Sequence, residues 1–213
     1  MDILMRELNE ALFLLLNASD HPSMIVLTLA KLFAVYAIWL VPLTLFIGWL
    51  RGSDHTRKLM LEATASGFAG LLIAQAIGLM WQHPRPFMIG LGNTLIPHAA
   101  DSSFPSDHLT LLWAVSFSFL IHRKPRIAGV FLALLGIPMA WARIYLGVHF
   151  PLDMLGAVLV AGTSAWLCFR EERWFMDHVY RWATTIYQYI FAPFIHLGWR
   201  SEEHTSELQS HSG

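Results

Sequence analysis

Charge is scarce in this chain. Only 14% of its 213 residues are Asp, Glu, Lys or Arg, where an ordinary soluble domain carries about 25%. The net charge is −1, so there is no basic surplus for neutralising phosphates, and a nucleic-acid partner is excluded. The single cysteine, Cys168, lies in an apolar run. It cannot form an internal disulfide and carries no information on redox compartment. No short apolar segment with a small-residue cleavage site opens the chain, so no removable signal peptide is expected. Internal repeats are absent as well, and nothing in the composition marks a second domain.

What is abundant is apolar sequence. Hydrophobic residues make up 55% of the chain and the mean hydropathy is +0.49. They fall in long runs, which points to an all-α integral membrane protein. The runs predict five spans, at 23–50, 60–81, 106–121, 126–143 and 151–169. The last three are short for a hydrocarbon core that needs about 20 residues. Short spans are tolerable when their polar ends sink into protein and line a cavity. Residues 1–20 alternate Leu4, Leu8, Leu12 and Leu15 with Asp2, Arg6, Glu7 and Glu10, the pattern of an interfacial amphipathic helix. Residues 174–199 are dense in Trp, Tyr and Phe and read as a second interfacial helix, with a sixth span at about 183–199 as the alternative. Residues 82–105 hold four prolines and two glycines and read as a loop.

The tail from Arg200 to Gly213 changes character and looks like a translated sequencing adapter. It is set aside as a read-through product, which would leave the natural C-terminus missing. The domain is then expected to cover 1–199.

Loop charges orient the bundle. Arg51, Arg57 and Lys58, then Arg123, Lys124 and Arg126, then Arg170 and Arg173 all fall on one side, which the positive-inside rule makes cytoplasmic. The opposite loops hold only Arg85 and Arg143. Chemistry is expected on that outer face.

Three clusters gather there: His83-Pro84-Arg85-Pro86-Phe87, then Phe104-Pro105-Ser106-Asp107-His108, then Arg143 with His149 and Asp153. Titratable groups at a membrane boundary are expensive, and are functional candidates by default. Their chemistry suits phosphate. Arg85 and Arg143 present planar forks that match phosphate oxygens. Pro105 and Pro151 stand where helices begin, and helix N-termini attract anions. Ser106 adds a hydroxyl, which as plain structure would only cap a helix. Asp153 lies four residues after His149 and can fix its tautomer, leaving the other nitrogen to attack or to pass a proton. His108 is the natural general acid. Read as plain structure, these histidines would be satisfied buried groups and Arg85 an interfacial anchor. The combination of Arg143, His149 and Asp153 at fixed spacing argues against that. His83 and His98 are balanced between lining the site and serving as loop residues.

These residues resemble the type 2 phosphatidic acid phosphatase superfamily of lipid phosphatases. The family pattern is Lys-x6-Arg-Pro, then Pro-Ser-Gly-His, then Ser-Arg-x5-His-x3-Asp. The chain matches at Arg85-Pro86, at Pro105-Ser106-x-His108, and at Arg143, His149 and Asp153. Within the family, the stretches 83–87, 98–108 and 145–156 look most like the bacterial undecaprenyl-diphosphatases. The resemblance implies a phosphatase of the bacterial cytoplasmic membrane, acting on a polyprenyl diphosphate among the membrane lipids. It implies His149 as nucleophile, Asp153 as its orienting group and His108 as acid. Arg85, Arg143 and Ser106 would hold phosphoryl oxygens, with no metal and no cofactor. Oligomeric state is not implied.

Three positions depart from the pattern. Gly78 stands where the family has lysine, Asp107 where it has glycine, and Ala142 where it has serine. Lys31, in the outer part of the first span, either replaces the missing cation or snorkels. Asp107 is expected to point away or to pair with an arginine. Other functions remain open on the sequence. The same chemistry could act on phosphatidylglycerol phosphate, phosphatidate or lipid A, or transfer phosphate to another lipid. A non-enzymatic lipid carrier would be expected to show an inverted repeat, and a haem protein would leave the arginines unexplained.

Overall fold

The computed structural model describes residues 3–171 together with Val179, Tyr180, Trp182 and Thr185. The rest of 174–199, and the tail 200–213, lie outside the described residues. All described regular structure is helical. The order is α1 (Ile3–Leu16), α2 (Met24–Lys31), α3 (Leu40–Arg51), α4 (Asp54–Met80), α5 (Asp107–Ile121), α6 (Arg126–Tyr145) and α7 (Pro151–Arg170).

Helices α2 and α3 are one apolar rod, Met24–Arg51, with a π-turn at Leu32–Tyr36 and a 3-10 turn at Ala37–Trp39. Pro42 accounts for the irregularity: it has no N–H for the carbonyl of Ile38, and its ring crowds that carbonyl. This rod, α4, α6 and α7 are each long and apolar enough to cross a membrane, and α5 is a shorter apolar helix. The fold is an all-α membrane bundle.

Helix α5 has 15 residues, about 22 Å, against a core of about 30 Å. Its position explains how it can be short. It packs against α4, α6 and α7, so Leu109, Leu112, Ala114, Val115 and Phe119 are buried within the bundle. Small residues let the helices close in, as is usual where lipid supplies no hydrophobic drive. A Cβ at Gly70 would meet Ser164 Oγ at 3.1 Å and Thr110 Cγ2 at 3.1 Å. Hydroxyls bridge the seams of α5 with α4 and α6, Ser66 donating to the Ala114 carbonyl (3.1 Å) and Ser116 to the Gly129 carbonyl (2.8 Å).

The bundle's up-and-down order brings the 82–105 loop and the turn between α6 and α7 to one end. Helix α1 packs there against α6 and α7. Phe13 is buried while Ile3, Leu4, Leu8, Leu12 and Leu15 are exposed, the two-faced character expected of an interfacial helix.

Candidate active site

The α6–α7 turn is held by its own backbone. Leu146 and Val148 donate to the carbonyls of Ala142 (3.0 Å) and Arg143 (3.2 Å). Gly147 has φ +81° and lies against the Asn93 backbone, so a side chain there would be both strained and blocked. The turn carries His149 to the first turn of α7. Arg85, Arg143, His149 and Asp153 are 3%, 3%, 1% and 1% exposed, a concentration of buried polar groups that requires partners.

The partners are mutual. Arg85 NH1 lies 3.0 Å from His149 Nε2 and Arg143 NH2 lies 3.3 Å from the same atom. A guanidinium only donates, so Nε2 is the acceptor and Nδ1 carries the hydrogen. That N–H meets Asp153 Oδ2 at 3.1 Å. The carboxylate is fixed in turn by the Phe150 N–H at 2.7 Å and by the Ser103 hydroxyl. Burial first, then the charges of Arg143 and Arg85, holds His149 well below the ordinary histidine range. The imidazole is therefore neutral, with its Nε2 lone pair turned toward two cations.

The arginines differ in their commitments. Each nitrogen of Arg85 has a partner besides His149, with Nε on Asp101 (2.8 Å), NH1 on the Val148 carbonyl (2.9 Å) and NH2 on the Ser102 carbonyl (3.1 Å). Arg143 bonds the Ala34 carbonyl (3.4 Å) and His98 Nε2 (2.9 Å), and its Nε is buried without a partner. Ser106 is at the N-cap of α5, its N–H on the Asp153 carbonyl (3.3 Å), but its hydroxyl makes no capping bond and is buried without a partner. The bare capping role is thus not the one it plays. His108, half-buried on the first turn of α5, lies within electrostatic range of Arg143, His98 and Arg85.

Lys31 stands apart. It is exposed at the end of α2, three residues before Ala34, and none of the bonds above involves it. Gly78 lines a cavity of about 290 Å³ with Gln75, Gln82, Ser102 and Asp107. Among the described residues Asp107 forms no ion pair with an arginine: its carboxylate accepts from Gln75 Nε2 at 2.9 Å. The reason is local, since Gln75 faces it across the α4–α5 seam and the arginines have nearer partners. Ala142 is fully buried, packed with Ala34 and Leu146.

Three residues that the spacing left undecided or unmarked have defined places. His98 bonds Arg143 and sets its ring 6.0 Å from that of His149. Burial, then the Arg85 charge, lowers its pKa. Ser103 fixes Asp153, and no sequence signal separated it from Ser102. His83 packs edge-on to Phe150 (5.6 Å) and Trp81 (5.3 Å), and its carbonyl accepts from the Ser103 N–H (2.8 Å). Among the described residues no group of three or more His, Cys, Asp or Glu converges as a metal site.

The PAP2 superfamily profile, that of the type 2 phosphatidic acid phosphatases, matches residues 59–177. This chain belongs to the PAP2 superfamily. The match takes in α4 from Leu59 onward, α5 to α7, and Arg85, His98, Ser103, Ser106, His108, Arg143, His149 and Asp153. Relatives within the superfamily extend over most of the chain. Bacillus subtilis BcrC, an undecaprenyl-diphosphatase, is 37% identical over 177 residues, 82% of this chain and 91% of BcrC. Escherichia coli K12 YbjG is 36% identical over 198 residues, 92% of this chain and 98% of YbjG. Among solved structures, Aquifex aeolicus LpxE superposes with a TM-score of 0.60 at 24% identity, covering 76% of this chain and 95% of LpxE. That likeness concerns the PAP2 fold alone.

Proposed function

We propose that this chain hydrolyses undecaprenyl diphosphate to undecaprenyl phosphate and inorganic phosphate through a phosphohistidine, recycling a carrier lipid for cell-wall synthesis. The observation that carries the chemistry is His149: Nδ1–H bonded to Asp153 and Nε2 facing Arg85 and Arg143. The extent of identity to BcrC supports the substrate.

The lone pair of His149 Nε2 attacks the terminal phosphorus. A nitrogen–phosphorus bond forms as the bridging phosphorus–oxygen bond breaks. His108 gives its proton to the departing lipid phosphate. Arg85 and Arg143 balance charge on the equatorial oxygens, and the unpartnered Ser106 hydroxyl and Arg143 Nε gain acceptors there. Asp153 stabilises the imidazolium that attack creates. Water then attacks phosphorus, His108 takes its proton, and free phosphate and neutral His149 return.

The site is assigned to the outer face of the bacterial cytoplasmic membrane, because the loops at the opposite end carry the Lys and Arg surplus. Lys31 is retained as the candidate for the cation missing at Gly78. Lys31→Ala raises KM if it reaches phosphate and leaves KM unchanged if it snorkels.

The test uses purified protein, EDTA, and undecaprenyl diphosphate labelled at the terminal phosphate. Free labelled phosphate is expected. Label in a second lipid would mean phosphotransfer, and no release would remove the enzymatic reading. His149→Ala should lower release by a factor on the order of 10⁴ or more with the melting profile kept. Retained turnover would rule out the nucleophile assignment.

A further inference from the structure

Helix α1 precedes the residues that define the superfamily match, yet it and the two residues after it are bonded to both ends of the turn that carries His149. At the near end, Asn17 Nδ2 donates to the carbonyls of Tyr145 (3.0 Å) and Asn93 (2.9 Å). The Asn93 N–H returns a bond to Asn17 Oδ1 (2.7 Å), and the Ala18 N–H also reaches the Tyr145 carbonyl (3.0 Å). At the far end, Asn9 Oδ1 accepts from the Leu152 N–H at 3.0 Å. Asn9 is buried. Beside it Phe13 packs edge-on against Phe150, ring centroids 5.3 Å apart.

The bond to Leu152 answers a specific deficit. The first-turn N–H groups of a helix need acceptors from outside it, and the N-cap side chain normally provides one. The N-cap of α7 is Phe150, which has no acceptor. Pro151 has no N–H to satisfy. Asp153 turns its carboxylate back to the Phe150 N–H. The Leu152 N–H remains, and Asn9, 143 residues away in sequence, takes it.

We infer that Asn9 is a positioning residue for His149, serving as the N-cap that α7 lacks, so that α1 completes the active site. It fixes the first turn of α7 and with it the separation of Asp153 from the imidazole. The kinetic consequence rests on the proposed phosphatase reading; the structural one does not.

Full-length wild type, Asn9→Ala and Asn9→Asp are compared in detergent by hydrogen–deuterium exchange of peptides covering 149–155, and by kcat and KM on undecaprenyl diphosphate. Asn9→Ala should speed exchange in those peptides about tenfold and leave α5 peptides unchanged. Its kcat should fall about tenfold, with KM within twofold of wild type. Asn9→Asp should restore both, since a carboxylate also accepts the Leu152 N–H and is favoured at a helix N-terminus. Unchanged exchange in Asn9→Ala overturns the inference. Equal losses in the alanine and aspartate variants also overturn it, including where the alanine variant loosens the whole fold. If wild type releases no phosphate, the phosphatase reading fails, and the exchange arm still decides the role of Asn9.

Discussion

Two guanidiniums beside one imidazole nitrogen would repel each other in an empty pocket. Asp101 offsets one of them, by its 2.8 Å bond to Arg85. Among the described residues Arg143 has no carboxylate within bonding distance, and on the proposed mechanism an incoming phosphate supplies the charge it lacks. The same cations act on His149. The proposed attack requires the neutral ring, and burial together with Arg143 and Arg85 lowers its pKa, so the neutral form persists below the unperturbed value of about 6.5. The acid limb of kcat/KM is therefore expected below pH 6.5, and Arg143→Gln should move it upward. A wild-type limb at or above 6.5 would contradict this. Ser103 makes a second prediction. Removing its hydroxyl takes away one of the two bonds that fix the Asp153 carboxylate, so Ser103→Ala should lower kcat about tenfold and leave KM nearly unchanged. The four-residue step from His149 to Asp153 was legible in the sequence because such residues are neighbours where a helix begins, and Arg143 because it closes the apolar run of α6. Ser103 was not legible: it reaches Asp153 across 50 residues from a loop with no periodicity.

At the level of elements, the turn between α6 and α7 depends on a glycine. Gly147 holds a left-handed φ with the Asn93 backbone against it. Gly147→Ala should cost about 1–3 kcal/mol of backbone strain and displace the Asn93 segment of the loop. A lowered melting temperature together with lost phosphate release is the expected result. An unchanged melt would show that the turn relaxes freely. The spans were readable because hydropathy and loop charge are cumulative signals: α5, α6 and α7 begin within a residue or so of the expected positions. Helix α4 begins earlier than expected, at Asp54. Its first turns carry Arg57, whose Nε bonds the Trp49 carbonyl at 3.1 Å, so a charged stretch that looks like loop is helix. The π-turn at Leu32–Tyr36 was likewise hidden, since Pro42 signals a break but not its form. An amphipathic α1 was legible. Its bonds to α7 were not, because an asparagine on a helix face gives no hint of a partner 143 residues on.

For the whole molecule, the sidedness of the bundle can be checked directly. With Cys168→Ser as background, Asp101→Cys places a thiol on the exposed 82–105 loop and Lys124→Cys places one between α5 and α6. A membrane-impermeant maleimide should label the first in intact cells and the second only after lysis. The reverse pattern would put the site on the cytoplasmic side. The long reach of α1 also bears on how the protein is made. Asn17 and its acceptor Tyr145 are 128 residues apart, roughly 6–25 seconds of synthesis at about 5–20 residues per second. During that interval the first helix has left the ribosome and its docking ground does not yet exist. Its exposed leucines give it somewhere to wait, on the lipid surface. A chain interrupted before α7 would carry both arginines but no assembled pocket, so an unfinished copy is inert toward the lipids around it.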